Sequence, residues 1–141
     1  MAFTDIFRIS GSAMTAQTVR LNTVASNMAN ADSPSASEET VYKARRPVFA
    51  SVYQNSELTG HKAFPGARVQ VLDVVETGQS IQRYEPHHPM ANSQGYVYYP
   101  DINVVEEMAD MMSASRGFET NAEVLSNIKS MQQSLLRLGE V

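Results

Sequence analysis

Residues 103–138, NVVEEMADMMSASRGFETNAEVLSNIKSMQQSLLRL, decide the fold of this chain. From Val105 to Leu138 the apolar residues recur every three or four positions, which is the period of an amphipathic helix. Asn103 with Glu106 three positions later is typical of a capping box, and the acidic residues nearby suit the positive end of a helix dipole. The stretch therefore predicts one long C-terminal helix.

A second helical pattern lies at the other end of the chain, from Phe3 to about Met28. Asn30, Asp32 and Pro34 predict where this helix ends. The following residues, ANADSPSASEET (29–40), are small and polar, and they predict an exposed loop.

The middle of the chain has the composition of β-strands. Pro47 indicates that the first of the strands lies at a sheet edge, and Thr77–Gln79 predicts a turn between the second and third strands. We therefore expect an α+β fold, mainly α, in which long terminal helices pack as a coiled-coil-like pair around a small antiparallel β region. The predicted units are an N-terminal assembly helix (1–30), a loop with a small β domain (31–102) and a C-terminal assembly helix (103–141). The predicted strand segments are VYKARRPVFASVY (41–53), GARVQVLDVVETG (66–78), SIQRYE (80–85) and GYVYYP (95–100).

Composition excludes several classes of function. The chain has 141 residues, a net charge of −4 and no cysteine. The charge argues against a dedicated nucleic-acid binder, because no excess of Lys and Arg is available to neutralise phosphates. The lack of cysteine excludes disulfides and thiol chemistry. We see no cleavable signal peptide and no apolar run that could span a membrane, so we expect a cytoplasmic protein or one exported without such a signal.

Enzyme signatures are missing from the sequence. There is no G-x-S-x-G elbow and no glycine-rich phosphate loop. His61, His87 and His88 raise the question of a metal site, but adjacent histidines point in different directions on an extended chain. No third ligand stands at suitable spacing. We predict a protein that is not an enzyme, with no catalytic residue, cofactor or metal.

Helix length indicates assembly. At about 1.5 Å per residue, the C-terminal helix is about 50 Å long and the N-terminal helix nearly 40 Å. A compact globule of this chain length is only about 37 Å across, so the C-terminal helix and its apolar stripe must protrude. An exposed stripe of that size needs a partner.

Seven segments resemble the axial proteins of the bacterial flagellum, and together they span nearly the whole chain. Met28 stands where the family usually has Leu, and Thr120 stands where it usually has Ala. The segments from residue 84 onward are similar to a signature of the proximal rod proteins in this family. The segments are SAMTAQ (12–17), RLNTVASNMAN (20–30), YKARRPVF (42–49), YEPHHPMA (84–91), GYVYYPDIN (95–103), EEMADMM (106–112) and RGFETN (116–121).

The resemblance implies a structural subunit of the proximal rod of the flagellar basal body. Such a protein is exported through the flagellar type III apparatus without a cleaved signal peptide. It then polymerises in the periplasm, where the rod links the membrane ring to the distal rod and transmits torque. The implied partners are further copies of the chain, other rod proteins, the membrane-ring adaptor and the export apparatus. Neither nucleic acid nor a small-molecule substrate is implied.

We predict an assembly interface along the two helices, and salt bridges between subunits from a basic and an acidic group of residues. The alternative is a helical adaptor that binds a single partner, and a membrane-surface role for the first helix is disfavoured by its low basic charge. The predicted interface residues are Leu21, Asn22, Val24, Ala25, Asn27, Met28, Asn30, Met108, Met112, Phe118, Leu125, Ile128, Leu135 and Leu138, and the predicted salt-bridge residues are Arg45, Arg46, Glu106 and Glu107.

Overall fold

Along the described part of the chain, a long helix precedes four β-strands and a second long helix follows them. A computed structural model describes residues 2–53 and 67–139. Its helical ends and antiparallel strands confirm the predicted α+β class, in which helix predominates. In chain order the elements are α1 (Ala2–Asn30), β1 (Arg45–Tyr53), β2 (Ala67–Glu76), β3 (Ser80–Tyr84), β4 (Tyr96–Pro100) and α2 (Val104–Leu138).

The helices α1 and α2 pack against each other in opposite directions. Asn27 near the end of α1 bonds Glu107 near the start of α2, while Arg20 bonds Asp110. Further along the pair, the side chain of Gln17 lies against Gly117. These contact positions are spaced three and seven residues apart on both helices, which fits the heptad of a coiled-coil seam.

Both ends of α2 are capped. The Asn103 side chain accepts hydrogen bonds from the N–H groups of Val105 (3.0 Å) and Glu106 (3.5 Å), which confirms the predicted start. At the other end the N–H of Gly139 donates to the carbonyls of Leu135 and Leu136, at 3.3 and 3.1 Å. Both helices therefore begin and end within two residues of their predicted positions, since α1 runs from Ala2 to Asn30.

The strands of the predicted antiparallel β region form two separate two-stranded sheets. β1 pairs with β2 and β3 pairs with β4, both antiparallel. The predicted turn at Thr77–Gln79 does not close a hairpin between β2 and β3. Instead the Thr77 N–H donates to the carbonyl of Ala44 (2.6 Å). Gly78 has a φ of 138°, and a Cβ atom there would lie 3.3 Å from the backbone N of Ala44. This part of the chain is packed against the segment before β1 and turns away from β2.

The segment after α1 is held more firmly than its composition predicts. The backbone of Ser35 exchanges two hydrogen bonds with Tyr98 of β4, at 2.8 and 2.9 Å. Ala31 and Ser35 are buried, and so are Val41 and Val97 nearby. The prediction of an exposed loop is therefore wrong for the two buried positions. Backbone hydrogen bonds decide this outcome, because the small side chains let the segment approach β4 closely.

Candidate assembly interface

The contact surface between the two helices, which we call the seam, is unusually polar and small. On α1 it includes Ser10 and Asn27, and on α2 it includes Glu107 and Ala114, all of which are buried. Val24 and Ile128 add aliphatic contacts. Such a seam fixes the alignment of the helices through specific polar contacts, and much of the chain's apolar surface lies elsewhere.

Asn27 is the centre of a buried hydrogen-bond network at one end of the seam. Asn27 is only 1% exposed to solvent. The Nδ2 group donates to the carbonyl of Arg45 (2.9 Å) and to Oε2 of Glu107 (3.1 Å). The Oδ1 atom accepts from the Arg45 N–H (2.9 Å) and from the Tyr42 hydroxyl (3.0 Å). Two donors and two acceptors on this one side chain join α1 to α2 and to the start of β1.

Ion pairs surround this network. Glu107 is 3% exposed and lies 3.6 Å from the Arg46 guanidinium. Arg46 also lies 3.6 Å from Asp110, which in turn pairs with Arg20 at 2.9 Å. Because Glu107 is buried, its carboxylate needs these partners to offset the loss of water. The network therefore ties three elements together at one corner of the molecule.

Further along the seam, Gln17 occupies the space left by Gly117. A Cβ atom at Gly117 would lie 3.2 Å from Cδ and Nε2 of Gln17. Such a distance is tighter than ordinary contact, so the seam at this point has room for a glycine. The Oε1 atom of Gln17 is buried without a hydrogen-bond partner among the described residues.

The register of the seam leaves the end of α2 uncovered. Gln17 faces Gly117. Because the helices are antiparallel, each residue nearer the start of α1 faces a residue correspondingly nearer the end of α2. Ala2, where α1 begins, therefore lies opposite about residue 132 of α2. Beyond that point Leu135 and Leu138 continue the seam spacing with exposures of 54% and 74%. We call this uncovered apolar segment, residues 131–138, the α2 overhang.

A second uncovered apolar patch lies on the first turns of α2. Val105, Met108 and Met112 follow helical spacing and are all exposed. They lie on a different face from Glu107, which points into the molecule. Exposed apolar side chains that are clustered in this way mark a contact surface.

The predicted interface residues fall into two groups. Within the free chain some contribute to the fold itself, so any role in contacts between subunits would be additional. For the others the free chain leaves the side chain available, and their part in an interface stays a prediction. Val24, Asn27 and Ile128 are buried; Leu21, Met28, Asn30, Phe118 and Leu125 are half-buried; Asn22, Ala25, Met108, Met112, Leu135 and Leu138 are exposed.

The predicted salt-bridge residues have partners within one chain. Arg46 pairs with Glu107, and Arg45 pairs with Glu76 at 3.3 Å. Glu106 is exposed at the start of α2. Within the single chain Arg46 and Glu107 thus pair with each other, and bridges from either residue to a neighbouring subunit stay a prediction. Bridges between subunits from Arg45 and Glu106 stay a prediction.

Several residues of the network were not singled out from the sequence. Tyr42, Arg20 and Asp110 take part in it, and Gln17 faces Gly117. A signal was available for the helix residues, because Arg20, Asp110 and Gly117 interrupt an apolar period at seam positions. Polar residues at such positions commonly fix register. No comparable signal pointed to Tyr42.

Tyr99 has the one clearly shifted pKa among the described residues. Its pKa is raised above the ordinary value, first by loss of solvation and then by the hydrogen bond to Glu85 (3.2 Å). Within residues 2–53 and 67–139, no group of three His, Asp or Glu side chains could hold a metal ion. His61 lies outside the described residues. In the same part of the chain no helix is long and apolar enough to cross a bilayer.

Comparison with known proteins gives a consistent result. A family model described as "Flagella basal body rod protein" matches residues 7–35, and one described as "Flagellar basal body rod FlgEFG protein C-terminal" matches residues 93–138. The chain is similar to the flagellar basal-body rod protein FlgC of Escherichia coli O6:H1, with 44% identity over 99% of this chain and 100% of the relative. The corresponding protein of Salmonella typhimurium is 42% identical over the same shares. That of Bacillus subtilis is 33% identical over 94% of this chain and 95% of the relative.

Proposed function

Because the chain belongs to the FlgC family of flagellar basal-body rod proteins and is a structural subunit of the rod, we propose that it joins the rod through the α2 overhang. It is part of the flagellar basal body and assembles with other rod components. The observation that supports the overhang as the contact is its position. It carries the spacing of the seam into a region where α1 supplies no partner.

The amount of exposed apolar surface favours this segment as a contact. Met131, Leu135, Leu136 and Leu138 are each more than half exposed, within two turns of one helix. Covering an aliphatic side chain fully contributes about 1.5–3 kcal/mol. Each of these side chains is already partly covered in the single chain. Covering the rest of all four therefore contributes roughly half of the free energy that four fully exposed side chains would give. That contribution is enough to stabilise a helix end which is marginal when alone.

We assign the covering surface to a helix of a neighbouring subunit. A helix that continues the α1 side of the seam has the right geometry, because seam spacing is already present on α2. The chain's own α1 cannot reach this far, since its first residue lies opposite about residue 132. The Val105, Met108 and Met112 patch at the other end of α2 is the second surface that we assign to neighbours.

The route to the rod is also part of the proposal. We infer export by the flagellar type III apparatus without a cleaved signal peptide, followed by assembly in the periplasmic space and linkage of the membrane ring to the distal rod. The support is the family membership and the two terminal helices with exposed apolar surface, which are better satisfied by a polymer than by a lone chain.

The test compares two substitutions on the same turn of the overhang. Leu135→Asp places a charge on the seam side, while Gln133→Asp places the same charge on the opposite side of the helix. We expect Leu135→Asp to be exported and to be missing from isolated basal bodies, and Gln133→Asp to be incorporated normally. Rods that contain normal amounts of Leu135→Asp would refute the overhang contact.

The free protein provides the control for folding. Both variants should keep the helical circular dichroism of the parent, because both side chains are exposed in the single chain. A single tight partner in a one-to-one complex, with no incorporation into basal bodies, would instead favour the helical adaptor.

A further inference from the structure

The β1–β2 hairpin has two outer edges that its own strands do not pair. Backbone N–H and C=O groups on such edges are templates for a strand of another chain. Two-stranded sheets expose both edges, so a soluble protein must protect them. In this structure the protection comes from side chains of α1.

At the edge of β1, Asn27 takes the place of a neighbouring strand. Its carboxamide accepts from the N–H of Arg45 and donates to the C=O of the same residue, both at 2.9 Å. In an antiparallel ladder, the opposing residue of an adjacent strand bonds the N–H and C=O of an edge residue in the same two-way manner. Two residues further along the same edge, Pro47 has no N–H to offer.

The edge of β2 is protected at the other end of α1. The N–H of Val69 donates to the hydroxyl oxygen of Ser12 at 3.1 Å, while that hydroxyl donates to the carbonyl of Ile9 at 2.8 Å. Val69 pairs with Ser51 across the hairpin, so the outward backbone groups of the hairpin at this level belong to these two residues. The helix thus crosses the hairpin from one edge to the other.

The orientation of the Asn27 carboxamide is set from α2. Glu107 is 3% exposed and its ionised carboxylate can only accept hydrogen bonds, so the Asn27 NH₂ group must face it. The Tyr42 hydroxyl approaches the opposite, Oδ1 end. While α2 is paired with α1, the Asn27 carboxamide is therefore held in the orientation that lets it bond both the N–H and the C=O of Arg45.

We propose that Asn27 and Glu107 form a gate on the β1 edge, closed while α1 and α2 are paired and open to β1 of a second copy when they separate. Antiparallel pairing of two β1 strands places the Arg45–Arg46 end of one strand opposite the far end of the other. Like charges are thereby kept apart, whereas parallel pairing would align the arginines. The gate goes beyond the rod function, because it concerns the purified single chain and does not depend on incorporation.

The first experiment tests the coupling between seam and edge. Gly117→Val places a branched side chain against Gln17, ten residues from Glu107 along α2, and Ser113→Val is the control on an exposed position. Amide hydrogen exchange at Arg45 should accelerate about tenfold or more in Gly117→Val, by the same factor as the seam amides of α2. It should be unchanged in Ser113→Val. Faster seam exchange with unchanged exchange at Arg45 would overturn the coupling.

The second experiment tests the edge and its occupant. Asn27→Asp removes the donor to the Arg45 carbonyl and repels Glu107, while Asn127→Asp makes the same change at an exposed position of α2 outside the predicted interface. In sedimentation we expect Asn27→Asp to self-associate at about tenfold lower concentration than Asn127→Asp. Adding Ser51→Pro removes an outward N–H of β1 and should abolish the difference.

Two results would reject the proposal. One is an Asn27→Asp protein that sediments like Asn127→Asp. The other is self-association that persists with Ser51→Pro, which would assign it to another surface such as the helices. If Asn27→Asp loses its helical signal altogether, the exchange experiment on Gly117→Val still decides the coupling, since that variant leaves the network residues unchanged.

Discussion

Two seam positions of α2, one heptad apart, should lose very different amounts of stability on the same truncation. Ile128 is buried at 7% exposure within the helix pair, and Leu135 lies on the overhang at 54%. Ile128→Ala and Leu135→Ala each shorten an aliphatic side chain to a methyl group. The contrast between them measures where α1 stops covering α2.

The expected magnitudes follow from burial. Truncating a buried Ile costs about 2–5 kcal/mol, and the lower end applies to Ile128 because it lies near the end of the pair. Leu135 lies beyond the reach of α1 and is more than half exposed, so its truncation should cost no more than about 0.5 kcal/mol. For a chain of this size about 1 kcal/mol shifts the melting temperature by roughly 3 °C. We therefore expect a fall of about 6 °C for Ile128→Ala and of less than 2 °C for Leu135→Ala.

The assay is thermal unfolding of the free protein, followed by far-UV circular dichroism at fixed concentration. Incorporation into basal bodies is measured in parallel, and there Leu135→Ala should show the larger defect. Equal losses of melting temperature would refute the reasoning, because they would mean that the free chain already covers Leu135.

Three further outcomes are expected. In a protein that also carries Gln17→Ala, Gly117→Ala should raise the free energy of unfolding by up to about 1 kcal/mol, because alanine has the higher helix propensity. In the parent protein the gain should be smaller by at least about 0.5 kcal/mol, because the new Cβ meets Gln17. Chemical denaturation measures both gains, and equal gains would exclude the contact. In an ultraviolet absorbance titration one tyrosine, Tyr99, should ionise above the ordinary range, and Glu85→Gln should lower its pKa. The raised pKa means that the folded protein favours the neutral form of Tyr99. The stabilisation from this group is therefore present below the pKa that the tyrosine has in the unfolded state, and it is lost as pH rises through the pKa in the folded state. Asn103→Ala should cost about 1 kcal/mol by removing the cap of α2, and an unchanged denaturation midpoint would contradict that role.

The helices were predictable because their signals are local. Asn103 marks a helix start through its own side chain, and the apolar period from Val105 to Leu138 needs no knowledge of the rest of the chain. The strand segments were predictable for the same reason, but their partners were not. Thr77–Gln79 has the composition of a hairpin turn, yet the Ala44 carbonyl competes for the Thr77 N–H.

The centre of the network was beyond sequence reasoning of this kind. Asn27 was predicted at an interface from its motif, but its partners Arg45 and Glu107 lie 18 and 80 residues away. Asn27 reaches both of them only because α1, α2 and the start of β1 meet at this point. Arg46 illustrates the limit, because a charged residue can satisfy an acid in its own chain or in another, and spacing alone does not distinguish the two.

A pair of helices of unequal length ends in a step. The shorter helix, α1, stops opposite about residue 132 of the longer helix, α2. The surface of α2 beyond that point has no complementary surface at the same end of the helix pair. A contact between two different surfaces is heterologous, so it leaves the same two surfaces free at either end of any assembly it builds. Such a contact carries a direction, and repeated with a constant rotation it produces a helical array that grows from its ends and has no built-in final size.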